Sequence, residues 1–182
     1  GGQGVGAIVR GRNGFAFTPL VTGGGQESWA RAGTENVAAI GAFGVAAEAS
    51  LAELEIMADV AARRDRVAAL IRAIVPDAVV FAEEVPRLAN TLCFAVPGIA
   101  AETAVIAFDL AGVALSSGSA CSSGKVTASP VLQAMGVDPA LVKSGLRVSI
   151  GAETSDEEIA AFDLRARNVF AAMKKQHGTA AA

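Results

Sequence analysis

What this sequence lacks narrows its chemistry before any motif is considered. It has no tyrosine, one tryptophan, two cysteines and one histidine, His177, near the end of its 182 residues. With a single histidine, His-based metal sites and Ser-His or Cys-His catalytic pairs are almost excluded within the chain, and no metal site is expected. Two cysteines cannot make a disulfide scaffold, and without a signal-peptide pattern the expectation is a reducing, cytoplasmic setting with free thiols. There is no basic block: 15 Lys and Arg against 18 Asp and Glu give a net charge of −3. Nucleic acid is therefore a poor partner, because phosphate contacts need clustered cations. Mean hydropathy is high, +0.46. Ala and Gly spread through the chain raise it, and charges interrupt the apolar runs before any reaches about 18 residues, so no membrane span is expected. What remains is a globular chain, 52% hydrophobic, with ample material for a core.

There is also no initiator Met. Gly1 opens a Gly-rich turn, Gly1-Gly2-Gln3-Gly4-Val5-Gly6, that runs into Ala7-Ile8-Val9. A buried strand is expected there, and a start of this kind points to a fragment whose upstream half is missing. Phe15 to Gly25 reads as loop. From Glu35 the pattern turns helical: Val37, Ile40, Phe43 and Gly44 recur at three and four, with small residues between, which predicts tight burial on several sides. From about Ala52 an apolar stripe (Leu54, Met57, Val60, Val67, Leu70, Ile71, Ile74) faces the charged Arg63, Arg64, Asp65 and Arg66 until Pro76. Short strands are predicted at 78–81, 91–96, 113–115 and 146–150. Helices are predicted at 102–110, from Ser129-Pro130 to Met135-Gly136, and from a Thr154/Glu157 capping box to about Lys175. Strands and helices alternate over 78–175, the pattern of a compact α/β or α+β domain, whereas residues 1–35 look like part of something else.

Three places could carry chemistry. Cys121 lies among Ser, Gly and Ala in Ser116-Ser117-Gly118-Ser119-Ala120-Cys121-Ser122-Ser123-Gly124, so its thiol is expected to be accessible. Cys93, in the apolar run Thr91-Leu92-Cys93-Phe94, reads as a small buried hydrophobe. Cys121 is either a nucleophile or a free surface cysteine in a linker, and no cation before Lys125 would activate it locally. Arg147 interrupts Leu146-Arg147-Val148-Ser149-Ile150, opposite the apolar face. Its planar fork suits a carboxylate, although taken alone the simpler reading is a structural salt bridge or an exposed sheet face. Gly23-Gly24-Gly25 followed by Arg31-Ala32-Gly33-Thr34-Glu35-Asn36 at a helix start could hold an anion; the simpler reading makes Thr34 an N-cap. Gly2-Gln3-Gly4-Val5-Gly6 is no dinucleotide fingerprint, because it precedes a strand, and Gly124-Lys125-Val126-Thr127 is no P-loop.

Taken in order, these pieces resemble the C-terminal half of cysteine desulfurases, pyridoxal-phosphate (PLP) enzymes of the aminotransferase class V group. The resemblance is carried by Gly4 to Val9, Gly23 to Glu27, Arg31 to Val37, Asn90-Thr91-Leu92, Ser116 to Gly124, and Leu146 to Gly151. It runs from Gly1 to about Phe170. The Ser-Ser-Gly-Ser-Ala-Cys loop together with the Arg-bearing strand is its most specific part. The chain departs from the family pattern at Trp29-Ala30 and Ala32, where such enzymes usually carry Gly or basic residues and Ser.

The resemblance implies PLP as cofactor, with its Schiff-base Lys in a segment just before Gly1. Lys125, Lys143, Lys174 and Lys175 do not occupy the family's cofactor position, so the isolated chain is expected to be inactive. It implies a fold-type I α/β architecture: residues 1–54 closing the large PLP-binding domain, and residues 55–182 forming a small α+β C-terminal domain with the Cys121 loop. It implies that Cys121 takes the sulfur of L-cysteine as a persulfide, leaving alanine. Arg147 would clamp the substrate carboxylate, and Thr34 would reach the PLP phosphate of the neighbouring subunit in a homodimer. A sulfur-acceptor or scaffold protein of iron–sulfur cluster or thio-cofactor assembly is the implied partner. A selenocysteine lyase of the same family, or a non-catalytic domain carrying a persulfide on Cys121, fits the same residues.

Overall fold

The structure, a computed structural model, describes residues 3–11, 17–117 and 129–180, with side chains to residue 175. The chain divides into two compact units, Gly1–Glu55 and Ile56–Ala182.

The first unit holds one long helix, α1 (Val37–Glu53), preceded by a short 3₁₀ turn at Gln26–Trp29. Asn36 caps the helix, its side chain accepting from the Ala39 N–H, so Thr34 is not the N-cap. The strand expected at Ala7-Ile8-Val9 does not form. Ile8 and Val9 are 79% and 94% exposed, and an extended segment with no ladder partner has nothing to satisfy its backbone. The expected burial around α1 is also absent: only Ala39 is buried on it, while Val37, Val45 and Leu51 are each more than two-thirds exposed. The stretch Val37–Ile74 contains a window with the length and composition of a membrane-crossing helix, of which 6% is buried. Glu48 and Glu53 interrupt that apolar surface.

The second unit contains an antiparallel sheet in the order β1-β2-β4-β3, from Val79–Val80, Thr91–Ala95, Ser116–Ser117 (β3) and Gly145–Ser149 (β4). The strand predicted at 113–115 thus falls at Ser116–Ser117, where the chain meets the β4 ladder. Leu92 and Phe94 of β2 sit opposite Val148 and Leu146 of β4. These four side chains join one buried cluster with α2 (Met57–Ile74), α3 (Ala101–Leu110) and α6 (Asp156–Ala180). Phe94, Phe108 and Leu146 are fully buried, each stabilising the unit by about 1.5–3 kcal/mol. Phe108 stacks on Phe162 at 6.2 Å and meets Phe170 edge-on at 5.3 Å, tying α3 to α6.

Two short helices the sequence pattern shows only in part lie before β4. In α4 (Pro130–Ala134), buried Ser129 caps the Leu132 N–H, as its Ser-Pro start predicts. In α5 (Pro139–Val142), Asp138 caps the Ala140 N–H in the same manner. The capping box of α6 is Ser155 with Glu158, each side chain accepting from the other's N–H; it stands one residue beyond the predicted pair, because the Thr154 hydroxyl is taken by the Gly151 N–H. Arg64, expected on the charged face, is buried: it donates to Leu88 O at 2.7 Å and pairs with Asp65. Asp65 also pairs with Arg87. The irregular segment leading into β2 has carbonyls no ladder satisfies, and Arg64 supplies a donor.

Candidate active site

The two faces of the sheet differ. Behind it lies the main core. On the other face Thr91, Cys93 and Ala95 of β2 stand opposite Ser149, Arg147 and Gly145 of β4. At one end this face is closed by a small cluster of Phe81, Ala95, Leu132 and Val142, with Cys93 packed at its margin. Gly145 makes that closure work: a Cβ there would stand 2.8 Å from Leu132 Cδ1, so α4 seats on the sheet because position 145 has no side chain. Toward Ser149 the face is open.

Arg147 sits where closure ends. It is exposed, and among the described residues its guanidinium makes no hydrogen bond or ion pair. Cys93 on one neighbouring strand and Ser116 on the other lie directly opposite it, which puts their Cβ atoms about 4.5–5.5 Å from its own. The apolar alternation predicted for Leu146, Val148 and Ile150 therefore holds, and the internal salt bridge is absent among the described residues. Cys93 is half-buried and shares the face of Arg147, not that of the core. Burial pushes its thiol upward, and the Arg147 charge draws it partly back. Cys121 lies outside the described residues. Ser117, four residues before it in sequence, pairs with Leu146 of β4.

The first unit carries the other polar constellation. Glu27, Ser28 and Trp29 are three consecutive residues with φ of 50°, 54° and 67°. The left-handed region costs a non-glycine residue about 1–2 kcal/mol, and Trp29, one of the sites departing from the family pattern, is held there while 74% exposed. This reversal folds the chain back so that Gln26 Oε1 accepts from the Gly33 N–H at 3.3 Å. Arg31 Nη1 donates to Gly33 O at 3.1 Å and Thr34 O at 3.3 Å. Gly33 has φ +95°, a conformation that suits glycine. Thr34 is exposed, and its hydroxyl has no partner among the described residues. An open cleft of about 880 Å3 in the same unit is lined by Phe17, Trp29, Phe43, Arg10 and Glu27 among others; Thr34 is not part of its wall. Among the described residues no group of three or more His, Cys, Asp or Glu could hold a metal ion.

Residues 1–162 match the Aminotransferase class-V family. The chain belongs to that family. Among curated relatives, cysteine desulfurase NifS of Azotobacter vinelandii is 41% identical over 158 residues, covering 86% of this chain and 39% of the relative. A cysteine desulfurase of Cereibacter sphaeroides is 40% identical over 159 residues, covering 87% of this chain and 40% of that protein. Among solved structures, a NifS-like protein from Rickettsia africae ESF-5 superposes with a TM-score of 0.74 at 30% identity, covering 86% of this chain and 41% of that chain. A second NifS-like protein superposes with a TM-score of 0.75 at 26% identity over 88% of this chain and 40% of its own. The fold is thus that of the matching part of NifS-like class-V enzymes. The chain spans 39% of the length of the Azotobacter relative.

Class-V aminotransferases are PLP enzymes, and the donor set around Thr34 fits the phosphate end of that cofactor. The Thr34 hydroxyl has no partner among the described residues, and the neighbouring carbonyls of Gly33 and Thr34 are engaged by the Arg31 guanidinium. An anion there meets donors, not acceptors.

Proposed function

We propose that the protein carrying this chain is a PLP-dependent cysteine desulfurase, with residues 1–54 closing the large cofactor-binding domain and residues 55–182 forming the small domain with the Cys121 loop. The observation that carries the reading is Arg147: a cation exposed on the open half of a sheet face, without an internal carboxylate among the described residues, in a chain similar to cysteine desulfurases over most of its length. A charged fork held by a strand and left unpaired is preorganised for a substrate carboxylate.

PLP, when bound, supplies the electron sink for the bonds around the substrate's Cα. Thr34 donates its hydroxyl to the phosphate of the cofactor in the neighbouring subunit of a homodimer. Arg147 binds the α-carboxylate of L-cysteine and orients its carbon skeleton. The Cys121 thiolate forms a bond to the substrate's sulfur as the carbon–sulfur bond breaks; the electron pair stays with carbon, which is protonated to give alanine, and Cys121 keeps a persulfide. An acceptor or scaffold protein of iron–sulfur cluster or thio-cofactor assembly, in the reducing cytoplasm, then takes the sulfur.

The test is kinetic, in the full-length protein. A charge-assisted bidentate pair contributes about 2–4 kcal/mol, so Arg147→Ala lowers kcat/KM for cysteine roughly 30-fold to 1000-fold. Arg147→Lys restores only part of this, since a point charge cannot form two parallel hydrogen bonds. Cys121→Ser abolishes sulfur transfer while PLP stays bound. If Arg147→Ala unfolds the second unit with no selective effect on cysteine, the substrate role is withdrawn.

A further inference from the structure

We propose that Gln26 and Arg31 are positioning residues for Thr34: together they lock the backbone at Gly33-Thr34 so that the Thr34 hydroxyl stays free for a phosphate. The inference rests on the reading of Thr34 as a phosphate donor and adds how this chain holds it there.

The observations converge on one loop. Gln26 reaches across seven residues to take the Gly33 N–H. Arg31 donates to the Gly33 and Thr34 carbonyls. With one N–H and two carbonyls bound, the peptide planes on either side of Thr34 are set by side chains and not by the helix, whose first turn is closed separately by Asn36. Gly24 is shaped for this arrangement: a Cβ built there would run into Gln26 Oε1 and push the side chain out of the lock. Three left-handed residues between Gln26 and Ala30 bring the two ends together. Nothing in this network uses the Thr34 hydroxyl, which is what a donor kept for an external anion requires. Bonds on both carbonyls also hold those acceptors away from an incoming phosphate, with which they would repel.

The experiment compares PLP with pyridoxal, which lacks the phosphate, by equilibrium dialysis of the full-length protein. Thr34→Ala weakens PLP about 10- to 100-fold, the loss of one hydrogen bond to a charged group, and leaves pyridoxal nearly unchanged. Gln26→Ala and Gly24→Ala each weaken PLP about three- to tenfold, as expected for a neutral hydrogen bond lost, and Arg31→Ala, which removes a charge-assisted donor, by about tenfold, again with pyridoxal unchanged. In the Thr34→Ala background Arg31→Ala adds little, because its effect runs through Thr34. If Arg31→Ala weakens PLP and pyridoxal alike, its role is structural and the proposal falls. If its effect persists in full without the Thr34 hydroxyl, Arg31 binds phosphate itself and the proposal falls. If Thr34→Ala has no effect, the reading of Thr34 fails and takes the inference with it; if Thr34→Ala has its effect and the lock variants have none, the inference alone fails. In the 182-residue chain, with no cofactor, Gln26→Ala and Gly24→Ala speed amide exchange at Gly33 several-fold. An unchanged exchange rate overturns the lock.

Discussion

The two units are both rich in small and apolar residues and end in opposite states. In Ile56–Ala182 the sheet has a fully buried face, and three helices close over it. In Gly1–Glu55 the only buried residues among those described are Ala32 and Ala39, while Leu20, Val9 and Ile8 stand almost wholly in solvent. The first unit holds 12 of the 20 glycines, but the larger difference lies in partners. A helix or an extended segment buries a face only against another element, and among its described residues the first unit contributes one long helix and two short 3₁₀ turns, the second running across its end. What shape it keeps comes from hydrogen bonds between side chains and backbone within the Gln26–Asn36 loop. Its order is polar and local, whereas that of the second unit is apolar and long-range.

The contrast can be broken by truncating side chains in each unit and following denaturant unfolding. Phe94→Ala, in the fully buried centre of the second unit, lowers stability by about 3–5 kcal/mol. Ile40→Ala, on a helix with almost nothing packed against it, changes it by less than about 0.5 kcal/mol. Equal losses would show that the first unit has a core after all.

The next contrast is chemical. Burial holds the Cys93 thiol protonated to higher pH than an ordinary thiol, so brief iodoacetamide treatment at neutral pH labels Cys121 well ahead of Cys93. Cys93 labelling accelerates only above the ordinary thiol range. The sign follows from linkage: the folded state holds that proton more tightly than the unfolded chain, so this group's contribution is intact below the ordinary thiol range and declines as pH climbs through its raised folded value. Equal labelling of the two cysteines by mass spectrometry would refute the difference in environment.

Smaller effects sharpen the comparison. Ser129→Ala removes the buried N-cap of α4 and costs about 1 kcal/mol in the unfolding of the second unit. Trp29→Gly acts in the opposite direction in the first unit. Relief of one left-handed residue gains about 1 kcal/mol, less the entropy glycine adds to the unfolded chain, read as slower amide exchange at Gly33. Faster exchange would mean that the Trp29 indole, which lies against Gly25, holds the turn.

Much of the second unit is legible in one sequence because its signals are local. Ser129-Pro130 announces a helix start, Gly112 and Gly136 take positive φ at helix ends, and the alternation around Arg147 places it opposite the core. The buried role of Arg64 was not legible, since its partner is the Leu88 carbonyl, 24 residues away. Nor was the shift of the α6 capping box, which depends on the Thr154 hydroxyl being engaged elsewhere. In the first unit, apolar periodicity predicted burial that did not occur.

By itself the sequence determined most of the helices and strands of the second unit, though not α5 or the position of β3, together with the open side of the Arg147 strand and the family, because periodicity, capping residues and the motif order are properties of neighbouring positions. Only tertiary structure decided which apolar faces are covered, that Cys93 stands beside Arg147, and that Gln26 and Arg31 close on Gly33 and Thr34. The first two depend on which distant segment arrives opposite, which strand register settles; the third closes within one loop, through a left-handed reversal at Glu27, Ser28 and Trp29 that non-glycine residues do not announce.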